Sequence, residues 1–312
     1  MGCDKLTLKS RKTMMKYALF LGCTIQRRVR QYELSSRAVL KKLGVKSVTL
    51  KQFNCCGYPL RNSDFKMFVL LGARNLAIAE KRGLHLMTLC KCCYGSLKKV
   101  NDLLKNDPSL LNETNAILAK EQLAYTGNAE VTHLLSVLHK DVGLEAIKEK
   151  VKVKFKDLNI ATHYGCHALR PSEITQFDNA ADPVLFDQLV EVTGARSIEW
   201  PLKLECCGAP LTGVNDELSM DLMGKKISSA TQAGAHFLCV GCPWCYVQFD
   251  SVQVKMSLKR GINNQLPGIL YPQLLGLAMG IGGNMLGLDK NQIELTSIKN
   301  FLAIDSQEGQ KQ

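Results

Sequence analysis

Apolar and polar positions alternate along the chain in two rhythms, and their order is the first indication of fold. Positions 16–22 form a short apolar run that predicts a buried strand, and Ile25, Val29, Tyr32, Ser36, Val39 and Leu43 then recur at helical spacing before Gly44, a fitting C-cap. Val48 to Leu50 predict a second strand, Asn62, Ser63 and Asp64 offer a cap for a helix running toward Gly83, and Leu86 to Leu89 predict a third strand. The second half repeats the order, with strands near 158–164, 196–199 and 236–241. Strands alternating with helices imply α/β architecture with a parallel sheet in each half. Ligand chemistry in such folds collects beyond the C-terminal strand ends.

Two stretches stand outside this rhythm. Positions 94–156 read as mainly helical and charged, ending in the run K-E-K-V-K-V-K-F-K from Lys148, which is expected to be a solvated connector. The most apolar run, between Gln273 and Asn284, is about half the length a bilayer span needs, so no membrane span is expected there. It reads as a buried helix ending in a glycine-rich turn.

The halves also repeat their cysteines. Cys23 and Cys166 each end an apolar strand in the form x-G-C, and the vicinal pairs Cys55-Cys56 and Cys206-Cys207 follow, in N-C-C-G-Y-P-L and E-C-C-G-A-P-L. A helical segment, a glycine and a short strand then lead to Cys90 and Cys93 in C-K-C-C, and to Cys242 and Cys245 in C-P-W-C. Two divergent copies of one module account for this pattern. All ten cysteines fall at the C-terminal ends of predicted strands.

Composition restricts the chemistry. At 312 residues, 46% of them hydrophobic, the chain can build a real core without disulfides. Thirteen cysteines exceed what packing needs, and the first 22 residues lack the apolar segment of a secretory signal, so a cytoplasmic protein with reduced, metal-binding or redox thiols is expected. Of the +12 net charge, +11 lies in residues 1–60, where thirteen Lys and Arg face only Asp4 and Glu33. No nucleic-acid signature accompanies that charge and aromatics are 6% of the chain, so an acidic partner or anionic substrate fits better.

Five cysteines per half exceed the four that a structural zinc or an ordinary four-iron cubane takes. Adjacent cysteines on a strand point to opposite faces, so both sulfurs reach one site only where the chain turns. Gly57 and Gly208 would permit that turn, and Pro59 and Pro210 would stiffen it. The residues alone leave open a spare thiol or a cluster of unusual iron arrangement.

Several stretches, M-K-Y-A-L-F-L-G-C, A-R-N-L-A-I-A-E, C-Y-G-S-L, H-Y-G-C-H, L-E-C-C-G-A and Q-L-L-G-L-A-M-G, resemble the B subunit of heterodisulfide reductase, whose repeated unit is the CCG domain. The resemblance runs from Met15 to about position 290. It implies two pseudo-symmetric CCG modules, each a small parallel sheet with flanking helices: an extension at 1–14, a first module with helical connector at 15–156, and a second with C-terminal helices at 157–312. It further implies two noncubane [4Fe-4S] clusters, one on Cys23, Cys55, Cys56, Cys90 and Cys93, the other on Cys166, Cys206, Cys207, Cys242 and Cys245. A small thiol or disulfide substrate would sit between them, each cluster delivering one electron to one sulfur. Two departures from the methanogen proteins, C-T-I-Q-R-R where those carry C-I-M-P-N-R-Y and Gly57 where they carry Pro, leave the identity of the disulfide open.

No ferredoxin-type cysteine run and no G-x-G-x-x-G fingerprint occurs, so electrons are expected from other chains: a small ferredoxin-like C subunit fed by a flavin-binding A subunit. Arg27 and Arg28, with Arg30, follow Cys23 and could hold an anionic group of the substrate, face that partner or face solvent. His167, beside Cys166, is the candidate proton donor; His163 shares the neighbourhood, and the matching His85 and His236 suggest packing. Cys92 and Cys239 read as small buried hydrophobes, and Cys3 as inert. Two alternatives stand beside disulfide reduction: an electron-relay or scaffold component of a flavin/iron-sulfur complex, and a zinc-bound structural module.

Overall fold

The computed structural model describes residues 16–261 and 265–303. The expected extension at 1–14, with Cys3, lies outside them. The apolar run at the start of each half becomes an inner strand of a parallel sheet, apolar on both faces because helices cover both. The first sheet comprises β1 (Lys16–Phe20), β2 (Lys46–Val48), β3 (His85–Thr88) and β4 (Val131–His133), in the order β2-β1-β3-β4. The second comprises β5 (Asn159–His163), β6 (Arg196–Ile198), β7 (Phe237–Val240) and β8 (Gly268–Leu270), in the order β6-β5-β7-β8. All pairings are parallel, with Tyr17 opposite His85 in one sheet and Ile160 opposite Phe237 in the other.

The sequence expectations need three adjustments. β2 begins two residues before the predicted strand. The helix expected from Ile25 to Leu43 is two helices, Gly22–Arg28 and Arg30–Lys42, separated at the buried Val29, whose φ of −136° and ψ of 51° leave the helical region. Each sheet has a fourth strand of three residues, and β4 lies inside the stretch read as a helical connector. The longest helices of that stretch are Lys91–Asn106 and Pro108–Leu118.

The repeat extends to local detail. Asp64 and Asn215 cap the helices Phe65–Glu80 and Asp216–Gln232, each accepting a hydrogen bond from the N–H three residues on, Met67 and Leu218. His85 Nδ1 accepts from Glu130 N–H and His236 Nδ1 from Asn159 N–H, so both histidines brace strand starts.

The modules exchange helices. Tyr271–Ala278, which follows β8 and is buried throughout, packs on Arg30–Lys42 of the first module. The segment after β4, Leu134–Ser136, packs in the equivalent way on Leu185–Glu191 of the second. One apolar core therefore runs through both modules. This exchange turns the C-terminal edges of the two sheets toward each other.

Candidate metal centre

Each module presents its cysteines on three features. The first cysteine opens a helix: Cys23 in the first turn of Gly22–Arg28, and Cys166 at the start of Cys166–Leu169. The vicinal pair precedes a left-handed glycine, Gly57 at φ +83° and Gly208 at φ +82°, and the one-turn helices Tyr58–Leu60 and Ala209–Leu211 that contain Pro59 and Pro210. The Cys-x-x-Cys pair opens a further helix, with Cys90 and Cys242 as N-caps. Six of the ten cysteines thus stand at helix N-termini, where free N–H groups and the helix dipole favour anionic sulfur.

Electrostatic coupling between neighbouring thiols links the members of each set in order. In the first module the order runs Cys23, Cys55, Cys56, Cys93, Cys90; in the second Cys242, Cys245, Cys207, Cys206, Cys166. Cys207 Sγ lies 3.5 Å from Cys245 Sγ, and Gly208 N–H donates to Cys206 Sγ at 3.4 Å. The two sets meet where Cys90 Sγ and Cys242 Sγ are 4.0 Å apart. The network polarises its members. Hydrogen bonds from Cys55 and Cys93 draw Cys56 down to about 5, and those from Cys166 and Cys207 draw Cys206 down to about 2. Cys23 and Cys166, the first cysteine of each set, are pushed up because they donate to Cys55 and Cys206 in turn.

Cys92 has neighbours beyond those a packing thiol needs. It is buried, but its Sγ lies within 4.8 Å of the Cys90 and Cys242 sulfurs and 3.3 Å from His167 Nδ1. Cys239 is fully buried in β7, and burial raises its thiol. His163 is fully buried with no hydrogen-bond partner at either ring nitrogen, and one of them lies within 4.8 Å of the Cys207 and Cys245 sulfurs. Burial, then Lys226 and Lys91, push it far below the ordinary histidine range, so it is neutral. Burial also lowers His167, whose Nε2 is 3.3 Å from Tyr58 Oη. The helix carrying Cys90 and Cys93 runs so close to His167 that a side chain at Gly95 would meet the His167 carbonyl at 2.7 Å.

The space around these groups is asymmetric. A cavity of about 430 Å³ is lined by the second set, Cys166, Cys206, Cys207, Cys242 and Cys245, together with His163 and His167. Tyr58, Arg61, Lys91 and Cys92 of the first module form its other wall. The first set lines a cavity of only about 20 Å³, which shares Tyr58, Pro59, Cys92 and Trp244 with the large one. A further cavity of about 260 Å³ adjoins at Tyr58, Arg61 and His167 and adds Lys99 and Arg170. Arg27 and Arg28 are exposed and line neither large space. Arg27 instead borders a 240 Å³ cleft on the outer side of Cys23 and Cys55. Sequence reading missed Tyr58, Arg61, Lys91, Lys226 and Trp244. Lys91 carried a signal, a charge inside Cys-x-x-Cys.

The model of the CCG cysteine-rich domain matches twice, over residues 17–98 and 160–250. Over 285 residues the chain is 36% identical to the B subunit of the ferredoxin/F420H2-dependent CoB-CoM heterodisulfide reductase of Methanosarcina acetivorans, covering 90% of this chain and 95% of that one. The chain belongs to the CCG-domain family of heterodisulfide reductase B subunits. Within that family it is also 33% identical to a protein of Archaeoglobus profundus described as like the heterodisulfide reductase B subunit, over 86% of this chain and 91% of the other. It is 32% identical to the 8-methylmenaquinol:fumarate reductase membrane anchor subunit of Wolinella succinogenes, over 91% of this chain and 99% of that one. Among the described residues no helix is long and apolar enough to cross a membrane. A crystal structure of a hypothetical protein from Helicobacter pylori shares the fold, with a TM-score of 0.73 at 22% identity, over 90% of this chain and 52% of that one. The chain thus spans about half of that structure's length.

Proposed function

We propose that the ten cysteines hold two [4Fe-4S] clusters of noncubane type, five thiolates each, and that the chain reduces, or in reverse forms, a disulfide beside them. The observation that carries this reading is the cavity of about 430 Å³ enclosed between the second cysteine set and the first module's Tyr58, Arg61 and Cys92. A scaffold would have filled that space with side chains. The donor set suits an anionic iron-sulfur group: sulfurs at helix N-termini, and a buried neutral His163 whose unpartnered ring nitrogens can meet sulfur or iron.

Bound there, the clusters would supply the electrons that split the S–S bond. The chain's own residues bind and orient the substrate. Tyr58 and His167 form a hydrogen-bonded pair on the cavity wall, and His167, with Cys92 at its other nitrogen, can pass a proton to a product thiolate. Arg61, Lys99 and Arg170 converge in the adjoining cavity, and neither arginine has an ion-pair partner among the described residues. A substrate with an anionic arm suits this arrangement, with a role for Arg61 that sequence reading gave to Arg27 and Arg28. Arg27, beside the outer cleft at Cys23, and the exposed Arg28 suit the docking of an electron-donating partner, a ferredoxin-like C subunit served by a flavin-binding A subunit. The reduced thiols such a site requires fit a cytoplasmic complex.

The resemblance to a component of a quinol:fumarate reductase favours a second reading, electron relay without substrate contact. EPR of the anaerobically oxidised protein, with and without small thiols bearing sulfonate, phosphate or carboxylate groups, separates the two. Reduction at the cavity gives a new paramagnetic signal that depends on the thiol; a spectrum indifferent to every thiol supports the relay. Zinc without iron or labile sulfide would establish the structural module instead.

A further inference from the structure

The two cysteine sets share a frame but not a charge. Eleven residues after the matching caps Asp64 and Asn215, the first module carries Asn75 and the second Lys226, both buried and both turned toward their Cys-Cys turn. Asn75 Nδ2 donates to Cys55 O at 3.0 Å. Lys226 Nζ donates to Glu205 O at 3.1 Å and to Leu202 O. A neutral amide in one module therefore stands where an ammonium stands in the other.

A second difference has the same sign. Lys91, inside the first Cys-x-x-Cys, matches Pro243 in the second, and its side chain crosses the module boundary. Its Nζ donates to His163 O at 3.3 Å and to Tyr164 O, beside Gly165 and the second set. The buried lysines among the described residues are Lys91, Lys203 and Lys226. Lys203 pairs with Asp187 at 2.8 Å and Glu199 at 2.9 Å, whereas Lys91 and Lys226 meet carbonyls and aromatic rings, with no carboxylate at ion-pair distance. A buried ammonium needs a counter-anion. Burial lowers both lysines, and the anionic groups that oppose it are mostly sulfurs of the second set: Cys207 and Cys245, then the Glu205 carboxylate and Cys206, act on Lys226, and Cys245 and Cys242, then Cys239 and Cys166, on Lys91.

Resting on the reading that each set holds a cluster, we propose that Lys226, with Lys91, raises the reduction potential of the second cluster above that of the first. An added electron is added negative charge, which a nearby fixed cation stabilises. The second set is the more buried, which alone would disfavour reduction; the two ammonium groups reverse that preference. Electrons entering at the first set, whose Cys23 is exposed beside the outer cleft, then run downhill to the set that lines the substrate cavity. Lys226 touches no substrate cavity and acts only through the cluster.

The test is an EPR-monitored redox titration of the iron-loaded protein and of Lys226→Gln, which keeps a donor for the two carbonyls while removing the charge. The wild type should give two midpoints, of which Cys206→Ser removes the higher. Lys226→Gln should lower that midpoint alone, by at least a tenfold change in the reduction equilibrium, about 59 mV for one electron. Lys226→Arg should restore it. If Lys226→Gln loses iron, Asn75→Lys serves instead and should raise the lower midpoint. Iron at its full level with no selective shift, or loss of the lower midpoint in Cys206→Ser, overturns this inference alone. An iron-free protein overturns the cluster reading beneath it.

Discussion

Cys90 Sγ of the first module lies 4.0 Å from Cys242 Sγ of the second, each the first cysteine of its Cys-x-x-Cys and the N-cap of the helix that follows. The modules meet at their chemistry, and the fold is arranged to bring that about. The helices after β4 and β8 are exchanged, and the strand ends bearing the cysteines point inward.

The two sets should still load separately, because each vicinal pair bonds only within its own module. Cys55→Ser and Cys206→Ser should each halve the iron, from about eight to about four per chain, as expected for two four-iron groups. Cys239→Ser, fully buried in β7 and a member of neither set, should keep it all. Colorimetric iron assay on anaerobically purified variants checks this.

Gly208→Ala should be among the most damaging single changes. Its φ of +82° is strained for any side chain, and a Cβ would stand 2.6 Å from Ser219 O. Left-handed strain alone costs about 1–3 kcal/mol, and the clash adds to it. A lower denaturant midpoint together with lost iron is the expected result, and Gly57→Ala, facing Phe68 O at 2.8 Å, should behave alike. By contrast Gly213→Ala, with nothing within 4 Å, should retain iron and lose stability only through its φ of +83°.

His167→Ala should lower disulfide turnover about 100-fold or more, the usual range for a lost general acid, while leaving iron content unchanged. Arg61→Ala should instead raise KM for a disulfide with an anionic arm and leave a neutral disulfide unaffected. Steady-state kinetics with a paired charged and neutral substrate distinguishes the two roles.

The buried His133 predicts a pH effect on stability. Burial first, and Lys91 second, hold it down to about 3, and Leu135 N–H donates to its Nδ1. The unfolded histidine takes up a proton near 6.5 and the folded one does not, so the unfolded state binds more protons between those values. The stabilisation is complete above pH 6.5 and falls as pH drops toward 3, by up to about 1.4 kcal/mol per pH unit. His133→Asn, which keeps an acceptor for Leu135 N–H, should flatten that slope in denaturant titrations at pH 7 and pH 5.

Much of this was legible in the sequence because repetition amplifies weak signals. Two copies of Cys-Cys-Gly-x-Pro-Leu located the turns, and Gly57 and Gly208 adopt matching left-handed angles. Asp64 could be read as a cap because a short acidic side chain before an apolar helix satisfies its free N–H groups. β4 and β8 were not legible: three residues are too few to display a period. Nor was the break at Val29, where the apolar spacing continues across two helices. Lys226 escaped because a lysine on a helix reads as solvated until its burial is seen, and Cys92 because its contact with His167 joins residues 75 positions apart.

The measurement that bears most directly on the central claim is iron and acid-labile sulfide per chain in the anaerobically purified protein. About eight irons with labile sulfide, the sum of two four-iron groups, is the predicted result. Catalytically active protein without iron, or a stoichiometry of zinc in place of iron and sulfide, would contradict it.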